Sequence, residues 1–115
     1  MDELMTIRSA EVRGYLVLHV RGEVEALTAD RLGAAVTAAL DGDLPVVLDL
    51  TDVRFLDSAG LSTLVRATER GEELGEPLRI AVDSNRPVVR PIEITGLERR
   101  LALYDSVDDA ITGPS

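Results

Sequence analysis

The segment Pro45–Leu50 reads Pro-Val-Val-Leu-Asp-Leu and constrains the fold more than any other part of this chain. An almost continuous apolar run of this length is typical of a strand that is covered on both faces of a sheet. Strands of this kind lie at the centre of parallel sheets, where helices pack on the two faces. The segment therefore predicts a central strand, with residues 51–57 as the connection that leaves its carboxyl end.

Strand-like and helix-like patterns alternate on both sides of this segment. Further strands are predicted at 5–12, 15–21, 78–82 and 101–104. Helices are predicted at 29–40, from 58 to 71 or 75, at 87–95 and at 107–111. Gly22 is expected to break the second strand, and Thr28 to be the N-cap of the first helix. Because the first two strands form a hairpin and the others alternate with helices, the order predicts an α/β domain with a mixed, mostly parallel sheet of about five strands and four helices packed on it.

The composition limits the classes of partner. The chain has 115 residues, 45% of them apolar, so one domain spanning 1–115 with an aliphatic core is expected. Its formal net charge is −9, and no basic cluster offers the footprint that nucleic acid or an anionic membrane requires. We therefore expect no nucleic acid and no membrane among its partners, but other proteins, preferably with a basic patch.

The chain contains no cysteine, which removes disulfides, thiolate nucleophiles and thiol metal sites. Its N-terminus carries Asp2 and Glu3 and lacks the apolar run of a signal peptide. No apolar stretch approaches the roughly 20 residues of a membrane helix. A cytoplasmic location is therefore expected.

The sequence lacks the usual patterns of an enzyme. Its one histidine, His19, falls within a predicted strand, which favours a partly buried or edge-facing strand residue over a catalytic one. Ser58 stands in Asp-Ser-Ala-Gly and not in the Gly-x-Ser-x-Gly turn of the α/β-hydrolases. Neither a phosphate-binding loop nor a dinucleotide fingerprint occurs, so no cofactor and no catalytic residue is predicted.

Residues 55–61, Phe-Leu-Asp-Ser-Ala-Gly-Leu, remain as the candidate functional segment. The simplest interpretation of Ser58 is a helix cap, since Ser and Asp side chains both accept hydrogen bonds from free N–H groups. Gly60 in the first turn costs roughly 1 kcal/mol relative to Ala, which suggests close approach by another backbone or a partner. Phe55 and Leu56 are expected to form an apolar surface beside an exposed hydroxyl. A phosphate on Ser58 would gain from the helix N-terminus and would add about −1.5 to −2 charges beside Asp57.

These segments resemble the signature of the STAS-domain anti-sigma factor antagonists. The resemblance rests on Val-Val-Leu-Asp-Leu at 46–50 and on the segment 55–61, and blocks at 22–29 and 90–110 agree with it. It covers nearly the whole chain in the order of the predicted elements. It implies the STAS fold and a partner-switching mechanism.

In such a mechanism, the unphosphorylated protein binds an anti-sigma factor, often a serine kinase of the histidine-kinase-like ATPase type, and frees the sigma factor. The kinase phosphorylates the serine that matches Ser58, the complex separates, and a serine phosphatase restores the protein. The resemblance further implies that residues around Ser58 and in the neighbouring loop bind the partner: Asp57, Ala59, Gly60 and Leu61, with Glu23, Glu25 and Thr28.

The chain departs from the family pattern at Glu25, where an Asp is common. Pro91 falls four residues after Pro87, which predicts a third helix that starts late, near Pro91, or is kinked. For Thr28, an N-cap is favoured over a second phosphorylation site.

Two other functions stay open at this point. One is a STAS scaffold or subunit of a stress-signalling or transport complex in which Ser58 is never phosphorylated. The other is a serine hydrolase, which is disfavoured by the turn motif and by the missing histidine partner of Ser58.

Overall fold

A computed structural model describes residues 3–113, which form five strands, four α-helices and one short 3-10 helix. The strands are β1 (Met5–Val12), β2 (Tyr15–Val24), β3 (Val46–Leu56), β4 (Arg79–Ala81) and β5 (Ala102–Tyr104). The helices are α1 (Ala29–Leu40), α2 (Ser58–Glu73), α3 (Arg86–Ile94) and α4 (Val107–Thr112). The 3-10 helix, Leu97–Arg99, lies between α3 and β5 and is not predicted by the sequence pattern.

The sheet has the order β1-β2-β3-β4-β5, with β3 at its centre. The pair β1–β2 is antiparallel, and the other three pairs are parallel. The predicted central strand and the mixed, mostly parallel sheet are thus confirmed. Since the parallel strands run the same way, the loops that leave β2 and β3 meet at one edge of the sheet.

The helices are divided unequally between the two faces of the sheet. Side chains from α1, α2 and α3 pack with Leu18, Leu48 and Ile80 in the main core. The short helix α4 packs on the opposite face, where Ala110 meets Val17 and Val47. No helix within residues 3–113 is long and apolar enough to cross a membrane.

The expectation that Gly22 breaks the second strand is wrong, because β2 continues to Val24. Gly22 has φ +103°, and a Cβ atom there would lie 2.0 Å from the carbonyl oxygen of Leu4. The register between β2 and β3 shifts on either side of this segment, as in a β-bulge. Glycine therefore lets the strand bend and continue, where a side chain would collide with the neighbouring backbone.

The expected connection at 51–57 is also largely strand. β3 extends to Leu56, because Phe55 and Leu56 pair with Glu23 and Val24 of the lengthened β2. The lengthened β2–β3 pair therefore reaches the beginning of α2.

Of the two alternatives predicted for the third helix, the late start near Pro91 is wrong as well. α3 begins at Arg86 and contains Pro91 in its interior. Proline has no N–H to donate there, yet Val88 and Ile92 are fully buried in the core and hold the helix in place. Tertiary packing therefore outweighs the missing hydrogen bond.

Candidate functional site

The junction between β3 and α2 is set by Asp57. Its backbone is extended, with φ −106° and ψ −170°, and its carboxylate accepts a hydrogen bond from the Gly60 N–H at 3.1 Å. This is the geometry of a helix N-cap. Asp57 is therefore the helix cap, and the simplest interpretation of Ser58, that it caps α2, is wrong.

Ser58 is consequently the first residue of α2, and it is exposed. Since the neighbouring carboxylate serves the cap, the Ser58 hydroxyl is not needed for this local structure. It also lies at the helix end where the first N–H groups have no intrahelical partner and a negative charge is favoured.

Gly60 lies directly beneath this surface and is buried. A Cβ atom there would be 2.5 Å from Leu56 Cδ1 and 2.9 Å from both the Val24 carbonyl oxygen and Val24 Cγ1. The expected close approach of another backbone is thus present, and that backbone belongs to the chain itself. Gly60 seats the first turn of α2 against the end of β2.

The loop after β2 is held by Thr28, which is 7% exposed. Its hydroxyl donates to the Glu23 carbonyl at 2.8 Å and accepts from the Glu25 N–H at 3.0 Å. The Glu25 carboxylate in turn accepts from the Leu27 N–H at 2.7 Å. The predicted position of Thr28 before α1 is correct, but its side chain does not cap the helix. Its backbone is helical (φ −116°, ψ −16°), and the hydroxyl bonds the preceding loop instead.

The two segments are joined by the Asp57 N–H, which donates to the Val24 carbonyl at 3.2 Å. The structure thus brings the predicted residues at 23–28 together with those at 57–61. Glu23 is half-buried at the end of β2, Glu25 is half-buried in the loop, Ala59 is half-buried at the beginning of α2, and Leu61 is buried.

Exposed apolar side chains lie in the two segments that meet at the beginning of α2. Leu27 is 81% exposed and Phe55 is 48% exposed, whereas Leu56 is only 4% exposed. The expected apolar surface therefore includes Phe55 but not Leu56, which points into the core. Leu27 is a contributor that the sequence pattern does not identify.

A groove of about 420 Å³ runs beside Ser58 along α2. Its lining residues are Ser58, Leu61, Ser62, Val65, Arg66, Thr95 and Leu97. The last two come from the end of α3 and the 3-10 helix, some 37 residues further along the chain than Ser58. This part of the surface depends on tertiary packing, so no local pattern near Ser58 indicates it.

His19 does not lie near Ser58. Its Nδ1 atom is 2.7 Å from the Asp49 carboxylate, and β3 continues for seven residues beyond Asp49 before it ends at Leu56. At 3.3 Å per strand residue, this places His19 about 20 Å from Ser58. A catalytic arrangement of Ser58 with His19 is therefore contradicted.

Replacing the capping residue gives a direct test of the junction. Asp57→Ala is expected to lower the free energy of unfolding by about 1 kcal/mol, because the Gly60 N–H loses its acceptor. Asp57→Asn keeps an acceptor and is expected to remain close to the wild type. Urea denaturation of the three proteins measures both effects, and equal losses in the two variants would contradict the cap.

Thr28→Val is expected to lower the free energy of unfolding by about 2 kcal/mol. Valine keeps the shape, but the hydroxyl that bonds Glu23 and Glu25 is lost in a buried position. Thr28→Ser keeps the hydroxyl and serves as the matched control. A thermal or urea melt that ranks Val as stable as Ser would show that these bonds do not hold the loop.

The chain is similar in sequence to a known domain family and to characterised bacterial proteins. The sequence profile described as the STAS domain matches residues 6–110. The "Anti-sigma-F factor antagonist RsfB" of Mycobacterium tuberculosis is 32% identical over 111 residues, which cover 95% of this chain and 88% of that protein. The "Anti-sigma F factor antagonist" of Paenibacillus polymyxa is 28% identical over 102 residues, covering 87% and 86% of the two chains.

A solved structure shows the same architecture. The crystal structure of an anti-sigma factor antagonist from Mycobacterium paratuberculosis superimposes with a TM-score of 0.83 at 34% sequence identity. The superposition covers 94% of this chain and 92% of that one. The expected domain bounds of 1–115 remain a prediction, since the family match spans 6–110.

Proposed function

This chain belongs to the STAS domain family, and we propose that it is an anti-sigma factor antagonist whose binding is switched off by phosphorylation of Ser58. The names of its relatives support the first part of this proposal. One structural observation supports the second part, the switch by phosphorylation of Ser58. Ser58 is exposed at the first position of α2, while Asp57 supplies the cap, so its hydroxyl is available for modification without loss of the fold.

The unphosphorylated protein binds its partner through the surface around Ser58. Leu27 and Phe55 offer exposed apolar area in the two segments that meet at the beginning of α2, where Asp57 and Ala59 also lie. Gly60 and Leu61 act from beneath, since both are buried and fix the position of the first turn. Glu23, Glu25 and Thr28 shape the adjacent loop. This mixture of apolar centre and acidic rim fits a partner surface with apolar anchors and basic neighbours.

The partner in this proposal is an anti-sigma factor that is also a serine kinase of the histidine-kinase-like ATPase type. Binding to it releases the sigma factor, and phosphorylation of Ser58 ends the complex. A serine phosphatase acting on the phosphorylated form restores the antagonist. The family resemblance supports these assignments, and the exposed Ser58 hydroxyl is the group that the kinase would phosphorylate and the phosphatase would regenerate.

A pull-down from lysate of the native host tests the proposal, with wild type, Ser58→Ala and Ser58→Asp as baits. Ser9→Asp adds the same charge on exposed β1, away from the site, and serves as the control. We expect an ATPase that phosphorylates residue 58 to be recovered with wild type, Ser58→Ala and Ser9→Asp, and to be depleted with Ser58→Asp. If all four baits recover one assembly and residue 58 stays unmodified, the protein is a scaffold and the proposal fails.

A further inference from the structure

The face of the sheet opposite the main core is only partly covered. Helix α4 packs at one end, over Val17 and Val47. Beyond Val17, the side chains of β2 on this face are His19 and Arg21, because alternate strand residues share a face. Arg8 of β1 is opposite His19 in the register. This uncovered half of the face, with its polar side chains, is unrelated to the Ser58 surface.

The imidazole of His19 is held by a chain of hydrogen bonds. Its Nδ1 atom is 2.7 Å from Oδ2 of Asp49, and Asp49 is 8% exposed. The other carboxylate oxygen accepts from the Thr51 hydroxyl at 2.7 Å and from the Thr51 N–H at 3.0 Å. With Nδ1 engaged in this way, Nε2 is the ring nitrogen left to meet another molecule.

Burying a carboxylate within a strand in this way is energetically unfavourable. Removing an ionised group from water costs several kcal/mol unless its partners compensate, and an apolar residue of similar volume is often as good for stability. Here the carboxylate fixes the orientation of a histidine whose side chain is 45% exposed. The buried carboxylate thus orients a group at the surface of the sheet.

Two arginines flank this histidine. Arg8 and Arg21 are exposed, and neither forms an ion pair within residues 3–113. Directly opposite and diagonal neighbours on one sheet face have side chains within about 5–8 Å of each other. Both guanidinium groups and the imidazole can therefore reach one small ligand, in a chain whose net charge is −9.

The structure assigns to this face a binding site for a small phosphorylated metabolite. A cavity of about 420 Å³ is lined by Arg8, Ser9, Ala10, His19, Arg21 and Asp52, and its volume is within the range of small-molecule sites. Three donor groups match the three free oxygens of a phosphomonoester, whereas a carboxylate offers only two. When protonated, the His19 ring donates from both nitrogens, to Asp49 and to the phosphate. The Asp52 carboxylate can accept a hydrogen bond from a hydroxyl or amine in the organic part of the phosphorylated ligand.

Titration of the ¹⁵N-labelled protein, followed by amide chemical shifts, tests this site at fixed pH and constant ionic strength. The probes are glycerol 3-phosphate and inorganic phosphate, with acetate as the carboxylate comparison. We expect saturable shifts in β1 and β2 with both phosphates, tighter binding of the ester, and a weaker response to acetate. Absence of saturation with the phosphates, or an equal response to acetate, would overturn the assignment.

Variants give the same test a second, independent measure. Arg21→Gln and Arg8→Gln are each expected to weaken binding of glycerol 3-phosphate about tenfold, since each removes one charge-assisted contact. Arg90→Gln removes an exposed arginine of α3 and is expected to leave the affinity unchanged. Equal affinities in Arg21→Gln and Arg90→Gln would refute the site. Because none of the residues that line this cavity belongs to the Ser58 surface, this outcome is independent of the proposed partner switch.

Discussion

Phosphorylation of Ser58 is expected to weaken binding of the anti-sigma factor about a hundredfold, which corresponds to about 2.7 kcal/mol. The phosphate adds about −1.5 to −2 charges at an exposed position next to the Asp57 carboxylate. Leu27 and Phe55 are exposed in the two segments that meet at this end of α2, so a partner that buries them together with the Ser58 surface must also desolvate the phosphate or move away from it. Calorimetric titration of the recovered anti-sigma factor with the protein phosphorylated and unphosphorylated at Ser58 measures the ratio of affinities.

The same titration, repeated at low and at high salt concentration, separates the two physical causes of the lost affinity. Charge repulsion is screened by salt, whereas desolvation of a phosphate in an apolar contact is largely insensitive to it. Ser58→Ala is expected to bind as the wild type does, and Ser9→Asp controls for net charge. Since the α2 N-terminus stabilises a phosphate, the fold is expected to persist, with an unchanged circular dichroism spectrum. Equal affinities of phosphorylated and unphosphorylated protein would rule out the switch.

The general architecture could be predicted because local patterns and tertiary packing agree over most of the chain. The apolar run in 45–50 predicts the central strand, and the alternation of strands and helices predicts the order of the sheet. The errors occur where tertiary contacts reverse a local preference. Gly22 continues β2 because, without a side chain, it can adopt φ +103° close to the Leu4 carbonyl, and Pro91 lies inside α3 because Val88 and Ile92 are buried.

The sequence predicts where the candidate site lies, but not what each of its residues does there. Asp57 and Ser58 are equally good caps by residue type, and only the extended backbone of Asp57 decides between them. Thr28 has the residue type of a cap, yet its helical backbone directs the hydroxyl to the loop. The groove beside Ser58 contains Thr95 and Leu97, which no periodicity relates to residue 58.

Gly60→Ala is expected to lower the free energy of unfolding by about 2 kcal/mol, even though alanine is the better helix former by about 1 kcal/mol. The added methyl would lie 2.5 Å from Leu56 Cδ1 and 2.9 Å from the Val24 carbonyl oxygen. Leu56 and Val24 are 4% and 0% exposed, so neither can move aside without disturbing the core. The first turn of α2 must shift instead, and Ser58 shifts with it. We therefore expect weaker binding of the anti-sigma factor at temperatures where the variant is still folded.

Gly33→Ala is the matched control for this prediction. Gly33 is also helical, but a Cβ atom there would meet only Thr63 Cγ2 at 3.5 Å, an ordinary van der Waals contact. Alanine is expected to stabilise α1 by about 0.5–1 kcal/mol at this position and to leave partner binding unchanged. Urea denaturation should therefore move the two variants in opposite directions from the wild type. A stabilised Gly60→Ala protein would mean that helix propensity governs both positions and that Gly60 does not seat the phosphorylatable end of α2.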